Sequence, residues 1–257
     1  MKTLTLFAFA LGACMMPRQE ITTEAVDYKH GDVALQGTLA YDKAAKGKKA
    51  GVIVVHEWKG HGEYAQSRAM QLAKLGYVAF AIDMYGKGVF AKDHEEAGKL
   101  AGAFFKDRQL MRDRAKAALD VFVKMERVDG TKIAAMGYCF GGTTVLEMAR
   151  AGFDVKMVAS FHGNLTTPAP AEKDKVKAKL VAVFHGADDK FVGDVAAFKK
   201  EIGDAGVDLN FHTYDGAVHS FTVKEAGNDP SKGMAYNEKA DKDSWEKLTK
   251  YLGEYLK

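Results

Sequence analysis

Apolar residues fall along this chain in two alternating rhythms. Short runs that are apolar throughout, such as Val52-Ile-Val-Val55, alternate with longer stretches in which apolar residues return every three or four positions. A strand buried on both faces of a parallel sheet needs a continuous apolar run, and a helix lying on that sheet needs only an apolar stripe. The pattern predicts strands at Gly51–Glu57, Tyr77–Asp83, Lys132–Tyr138, Val155–His162, Lys179–His185 and Asp208–Tyr214. It predicts helices at Tyr64–Leu75, Glu95–Phe105, Met111–Lys124, Gly142–Ala151, Val195–Asp204 and Ser231–Tyr255. Ahead of these stands a hairpin, Ala25–Tyr28 and Val33–Tyr41, turning across His30-Gly31-Asp32. Strands that alternate with helices imply a three-layer α/β fold, with a mostly parallel central sheet and helices on both faces.

With 257 residues and 47% hydrophobic content, the chain can bury one substantial core. Four prolines and no repeat or low-complexity tract leave no sign of a second module, so residues 25–257 read as a single domain. The formal charge of +3 is spread over scattered lysines, which gives no nucleic-acid footprint.

The first residues have a different character. Met1-Lys2-Thr3 supplies a positive start, and Leu4 to Leu11 is an apolar core too short to span a bilayer. Leu11-Gly12-Ala13-Cys14 then has the form of a bacterial lipobox. Residues 1–13 read as a lipoprotein-type signal peptide, Cys14 as the lipidated first residue of the mature protein, and residues 14–24 as a tether. An ordinary signal peptide or a misassigned start are the alternatives. The expected location is the bacterial cell envelope, lipid-anchored and periplasm-facing, or else soluble in the periplasm or secreted. Acylation of Cys14 would leave Cys139, the other cysteine, free.

Cys139 carries the chemistry. Gly137-Tyr138-Cys139-Phe140-Gly141 has the glycine-flanked form of a nucleophile elbow, with a strand predicted before it and a helix after it, as in α/β hydrolases. The flanking glycines clear space for an abrupt strand-to-helix turn that strains the nucleophile's backbone. The helix N-terminus supplies unpaired N–H groups and a positive dipole end, which favour a thiolate and a developing oxyanion. That fold presents nucleophile, acid and histidine in chain order. Downstream, Asp188 and Asp189 follow the strand ending at His185, and His219 follows the strand ending at Tyr214. Each lies past the carboxyl end of a predicted strand, where open α/β sheets place their ligands. His219 is the candidate base; pattern alone does not separate the two aspartates.

These residues resemble the dienelactone hydrolase family. The resemblance rests on Gly137-Tyr-Cys-Phe-Gly-Gly142, Phe184-His-Gly-Ala-Asp-Asp-Lys-Phe-Val192 and Val218-His-Ser-Phe221, and extends from about Gly51 to the C-terminus. It selects Asp189 as the acid. It implies an α/β-hydrolase fold and a carboxylic ester hydrolase of the carboxymethylenebutenolidase type, acting on a small ester or lactone through an acyl-enzyme. It further implies that Glu57, closing an apolar strand, takes up the cysteine's proton as substrate binds, and that backbone N–H groups of Trp58 and Phe140 form an oxyanion hole. The founding members hold a substrate carboxylate with arginines, one of them four residues past the histidine. Here that position is Val223, and Gly86 to Lys106 contains no arginine. Lys87, Lys92 or Lys224 could substitute as point charges, without an arginine's bidentate fork. Neutral esters are therefore expected to be better substrates than anionic lactones.

His56-Glu57 with His61 lacks the helical spacing of a zinc motif, and His162 and His185 read as structural or pocket-lining. No metal and no organic cofactor is expected. The rival readings are a non-catalytic envelope binding or scaffold protein on the same fold, and a thioester hydrolase using the same machinery.

Overall fold

The computed structural model describes residues 19–257. The signal segment, Cys14 and the first part of the tether lie outside the described residues. The elements run β1 (Ile21–His30), β2 (Val33–Asp42), β3 (Lys49–Val55), α1 (Glu63–Lys74), β4 (Val78–Ile82), α2 (His94–Lys106) and α3 (Arg108–Phe122). Then come β5 (Val128–Tyr138), α4 (Phe140–Arg150), β6 (Met157–Phe161), β7 (Leu180–Gly186), α5 (Val195–Asp204), β8 (Asp208–Tyr214) and α6 (Glu238–Tyr255).

One eight-stranded sheet orders them β1-β2-β4-β3-β5-β6-β7-β8. The β1–β2 hairpin pairs antiparallel with itself and with β4, and every later pairing is parallel. The hairpin starts at Ile21, inside the stretch read as tether, because Thr22, Thr23 and Glu24 pair with Tyr41, Ala40 and Leu39. The apolar runs are divided between two cores by the two-residue period of a strand. Ile53 and Val55 of β3 face one core with Phe80, Phe122 and Phe140, whereas Val52 and Val54 face the other with Leu72, Tyr138 and Leu248. Helices α2 to α5 cover the first side, α1 and α6 the second.

Helix α6 begins at Glu238, seven residues after the expected start. Pro230–Lys232 makes only a short 3₁₀ turn, which Gly233 ends at φ 78°, and Asn237 then caps α6 by accepting from the Ala240 N–H.

α4 is buried on all sides, charged residues included. Its Glu147 carboxylate, with no exposure, accepts from Arg112 at 2.7 and 2.9 Å and from Arg150 at 3.0 Å, and Arg150 reaches on to Glu201 at 2.7 Å. Two carboxylates thus balance two guanidiniums. Glu147→Gln leaves a buried cation excess and is expected to lower unfolding stability by about 3–5 kcal/mol. Urea unfolding checks this; a shift below about 1 kcal/mol would show that water or a rearranged Glu201 supplies the missing charge.

Candidate active site

The sheet order itself creates the site. From β3 the chain crosses to β4 on one side, and from β5 it crosses to β6 on the other, so the loops leaving β3 and β5 diverge. The crevice at the carboxyl ends of those two strands is where open α/β sheets bind ligands. Glu57 and Trp58 leave β3 there, and Cys139 leaves β5.

Cys139 caps α4 at φ 52°, ψ −113°, a left-handed conformation that costs energy for any residue with a side chain. The neighbouring glycines make it feasible. A Cβ at Gly137 would lie 2.2 Å from the Gly141 carbonyl oxygen, and one at Gly141 would lie 2.3 Å from the Val55 carbonyl oxygen. The strained corner is held by its backbone N–H, which donates to the Phe161 carbonyl at 2.9 Å and to His162 Nδ1 at 3.1 Å.

The structure brings three of the expected residues into a line. His219 Nε2 lies 3.2 Å from Cys139 Sγ, and His219 Nδ1 lies 3.0 Å from Asp189 Oδ2. Asp189 Oδ1 accepts from the Phe191 N–H at 2.8 Å, so both carboxylate oxygens are engaged. Asp188 is exposed and its backbone ties to Ala217, so burial separates the two aspartates where spacing alone does not. Burial opposes a charge on His219, but the Cys139 sulfur and Asp189 outweigh it and push the imidazole up to about 10. That setting favours the charged form of the ring. Burial also pushes the Asp189 carboxyl up, but the hydrogen bond from His219 and the two imidazoles beside it hold it well below the usual range.

Glu57 lies partly buried at the same crevice, and burial, against the opposing charge of His219, raises its carboxyl to about 7. The turn that presents it is fixed by His56. Its Nδ1–H donates to the Glu57 carbonyl at 2.5 Å, and its Nε2 accepts from the Met84 N–H at 3.2 Å. Both His56 nitrogens are thereby used by backbone. Among the described residues no three His, Cys, Asp or Glu side chains are grouped to hold a metal ion.

His162, at the end of β6, has a role the sequence did not reveal. Because its Nδ1 accepts the Cys139 N–H, its proton sits on Nε2, which meets Thr222 Oγ1 at 2.9 Å. Thr222 Oγ1 also accepts from the Tyr64 hydroxyl at 2.7 Å, and Tyr64 in turn accepts from Arg68 at 3.1 Å. Burial, with His219 adding, pushes the His162 imidazole well down, so it stays neutral and supports the elbow without competing for the proton.

A cavity of about 670 Å³ opens over Cys139, within the usual size of small-molecule sites. Trp58, Phe105, Phe140, Phe191 and Met234 make its apolar wall, and Gly98, Ala101 and Gly102 on one face of α2 leave the space. Trp58 and Phe140 thus border the nucleophile, and Phe140 opens α4, where helical N–H groups have no intrahelical acceptor.

The cations fall differently from expectation. Lys87 pairs with Asp27 at 2.8 Å, and Lys224 lines a separate cleft over the Tyr236 ring. Neither Lys87, Lys92 nor Lys224 lines the Cys139 cavity; Arg108 does, two residues beyond the arginine-free stretch that ends at Lys106. Its guanidinium lies over Phe105, 4.9 Å from the ring centroid, and donates to the Thr166 carbonyl at 3.1 Å.

Known proteins share this arrangement of elements. The model of the dienelactone hydrolase family matches residues 35–256. A protein of Aquifex aeolicus assigned as a carboxymethylenebutenolidase is 30% identical over 242 residues, 91% of this chain and 99% of the relative. The crystal structure of a dienelactone hydrolase-like promiscuous phosphotriesterase from metagenomic libraries is 34% identical, with a TM-score of 0.86 over 92% of this chain and 99% of that one. A dienelactone hydrolase structure from Anabaena variabilis, 19% identical with a TM-score of 0.68 over 92% of this chain and 99% of that one, shares the fold.

Proposed function

This chain belongs to the dienelactone hydrolase family and is a hydrolase of the ester and lactone class, and on that premise we propose that Cys139, His219 and Asp189 are its catalytic triad. The line Cys139 Sγ–His219 Nε2 and His219 Nδ1–Asp189 Oδ2, at 3.2 and 3.0 Å, carries this reading. The Cys139 thiolate attacks the carbonyl carbon, and the carbonyl electron pair moves to oxygen. Backbone N–H groups of Trp58 and Phe140 receive that oxyanion. Its collapse expels the alkoxide, which takes the proton from the His219 imidazolium and leaves a thioester on Cys139. Neutral His219 then deprotonates a water that attacks the thioester, releasing the carboxylic acid and restoring the thiolate–imidazolium pair. Glu57, whose carboxyl burial raises to about 7, is the acceptor for the proton of any Cys139 that stands as the thiol, and in that case Glu57 rather than His219 returns the proton to the alkoxide.

The cavity selects within that class. Its apolar rings favour an ester or lactone with a compact apolar body. Arg108 revises the expected preference for neutral esters, because a cation partly removed from water stands ready for a substrate carboxylate. A charge-assisted hydrogen bond is worth about 1.5–3 kcal/mol, so Arg108→Gln is expected to lower kcat/KM for a carboxylate-bearing lactone by about ten- to hundredfold. Neutral p-nitrophenyl esters are expected to change far less. The same ester panel, with mass spectrometry of a quenched reaction, tests the mechanism through an acyl adduct on Cys139. Hydrolysis without that adduct, or an adduct elsewhere, overturns the nucleophile; equal losses on neutral and anionic substrates make Arg108 a structural residue.

A further inference from the structure

The catalytic aspartate has two imidazole neighbours, and only one of them takes part in the proposed reaction. His185, the penultimate residue of β7, is 1% exposed. Its Nε2 lies 2.9 Å from the Gly163 carbonyl, and a carbonyl only accepts, so this nitrogen carries a proton. Its Nδ1 lies 3.3 Å from Asp189 Oδ2, the same oxygen that faces His219. At that nitrogen the geometry completes no hydrogen bond.

Each charge state of His185 has a distinct consequence. In the neutral ring Nδ1 presents a lone pair to a carboxylate oxygen, a repulsion that makes Asp189 a stronger partner for the His219 N–H. In the cation Nδ1 presents a proton to the same oxygen, and a small ring rotation completes a charge-assisted hydrogen bond that competes with His219. The other charged or titratable groups around the ring are few. His219 lies across Asp189, neutral His162 ends the adjacent strand, and Lys199 of α5 lies over the Phe211 ring that stacks near His185.

We propose that His185 is a positioning residue that acts through Asp189: its neutral ring directs the carboxylate onto His219, and its protonated ring draws the carboxylate away. The inference rests on Asp189 and His219 acting as proposed above. It predicts a second ionisation in the acid limb of kcat/KM, steepening the fall toward roughly tenfold more per pH unit than one proton gives. His185→Gln keeps a side-chain donor for Gly163 but does not titrate, and its acid limb is expected to lose that extra proton whatever its absolute rate. A purely structural residue would lower the rate without changing the slope. Nitrogen-15 histidine spectra of the wild-type protein supply a readout that needs no variant: the His185 ring is expected to change charge over the same pH interval as the extra ionisation. Superimposable acid limbs, or a His185 ring of one charge state throughout, overturn the proposal. Hydrolysis that survives Asp189→Asn would instead overturn the triad reading, so the two failures are distinguishable.

Discussion

Cys139→Ala is expected to reduce ester hydrolysis by on the order of 10⁶ in kcat, the scale of loss when a serine hydrolase is deprived of its nucleophile. The fold should survive. Alanine fits the space, and the corner at φ 52° is set by the Cys139 backbone N–H on Phe161 and His162 and by the glycines at 137 and 141, none of which the substitution alters. A second consequence follows from electrostatics. The His219 imidazole is held up near 10 against burial chiefly by the Cys139 sulfur, so removing that sulfur lets burial count for more and moves its titration downward. Toward alkaline pH the variant's ring is therefore expected to become neutral first, which nitrogen-15 spectra read directly. Cys139→Ser should also be severely impaired, because a hydroxyl does not form the resting ion pair that a thiolate forms with His219. Turnover by Cys139→Ala within tenfold of wild type, with natively folded protein, would remove Cys139 from the mechanism.

What was legible in the sequence were the features that local sterics enforce. The elbow was legible because Gly137 and Gly141 are demanded by backbone contacts of 2.2 and 2.3 Å that no other residue tolerates. The parallel strands were legible because burial on both faces writes a continuous apolar run into β3 and β7. Boundaries set by single caps were not. α2 and α3 are separated only by Asp107, whose carboxylate caps α3 by accepting from the Leu110 N–H, and this places Arg108 in the cavity wall. The loop before α2 and α2 itself carry no arginine, and Arg108 opens the next helix. The support behind the elbow was illegible for a different reason. Tyr64 and Thr222 are 158 positions apart, and His162 and Thr222 are 60 apart, so their hydrogen bonds exist only once the strand order is known. One local signal was available: Gly98, Ala101, Gly102 and Phe105 share a face of α2, and small residues at that spacing leave room for a ligand.

Asp189→Asn is expected to cost on the order of 10⁴ in kcat, the loss recorded when the orienting aspartate of a serine protease is replaced by asparagine. The physical reason is the tautomer of His219. Asp189 Oδ2 accepts from Nδ1–H, which leaves Nε2 facing the sulfur as the atom that receives and returns the proton. An asparagine can present its N–H₂ to Nδ1 instead, which moves the ring proton to Nε2 and removes the base. Its oxygen can still accept from the Phe191 N–H, so the loop geometry is preserved and the loss reports the proton's position. The His219 imidazolium also loses its carboxylate counter-charge. Asp188→Asn is the control, because that side chain is exposed and should change kcat less than about threefold, as surface substitutions usually do. Single-turnover rates of acyl-enzyme formation with a p-nitrophenyl ester make the comparison directly. If Asp188→Asn carries the large loss and Asp189→Asn the small one, the acid has been assigned one residue too far along the chain.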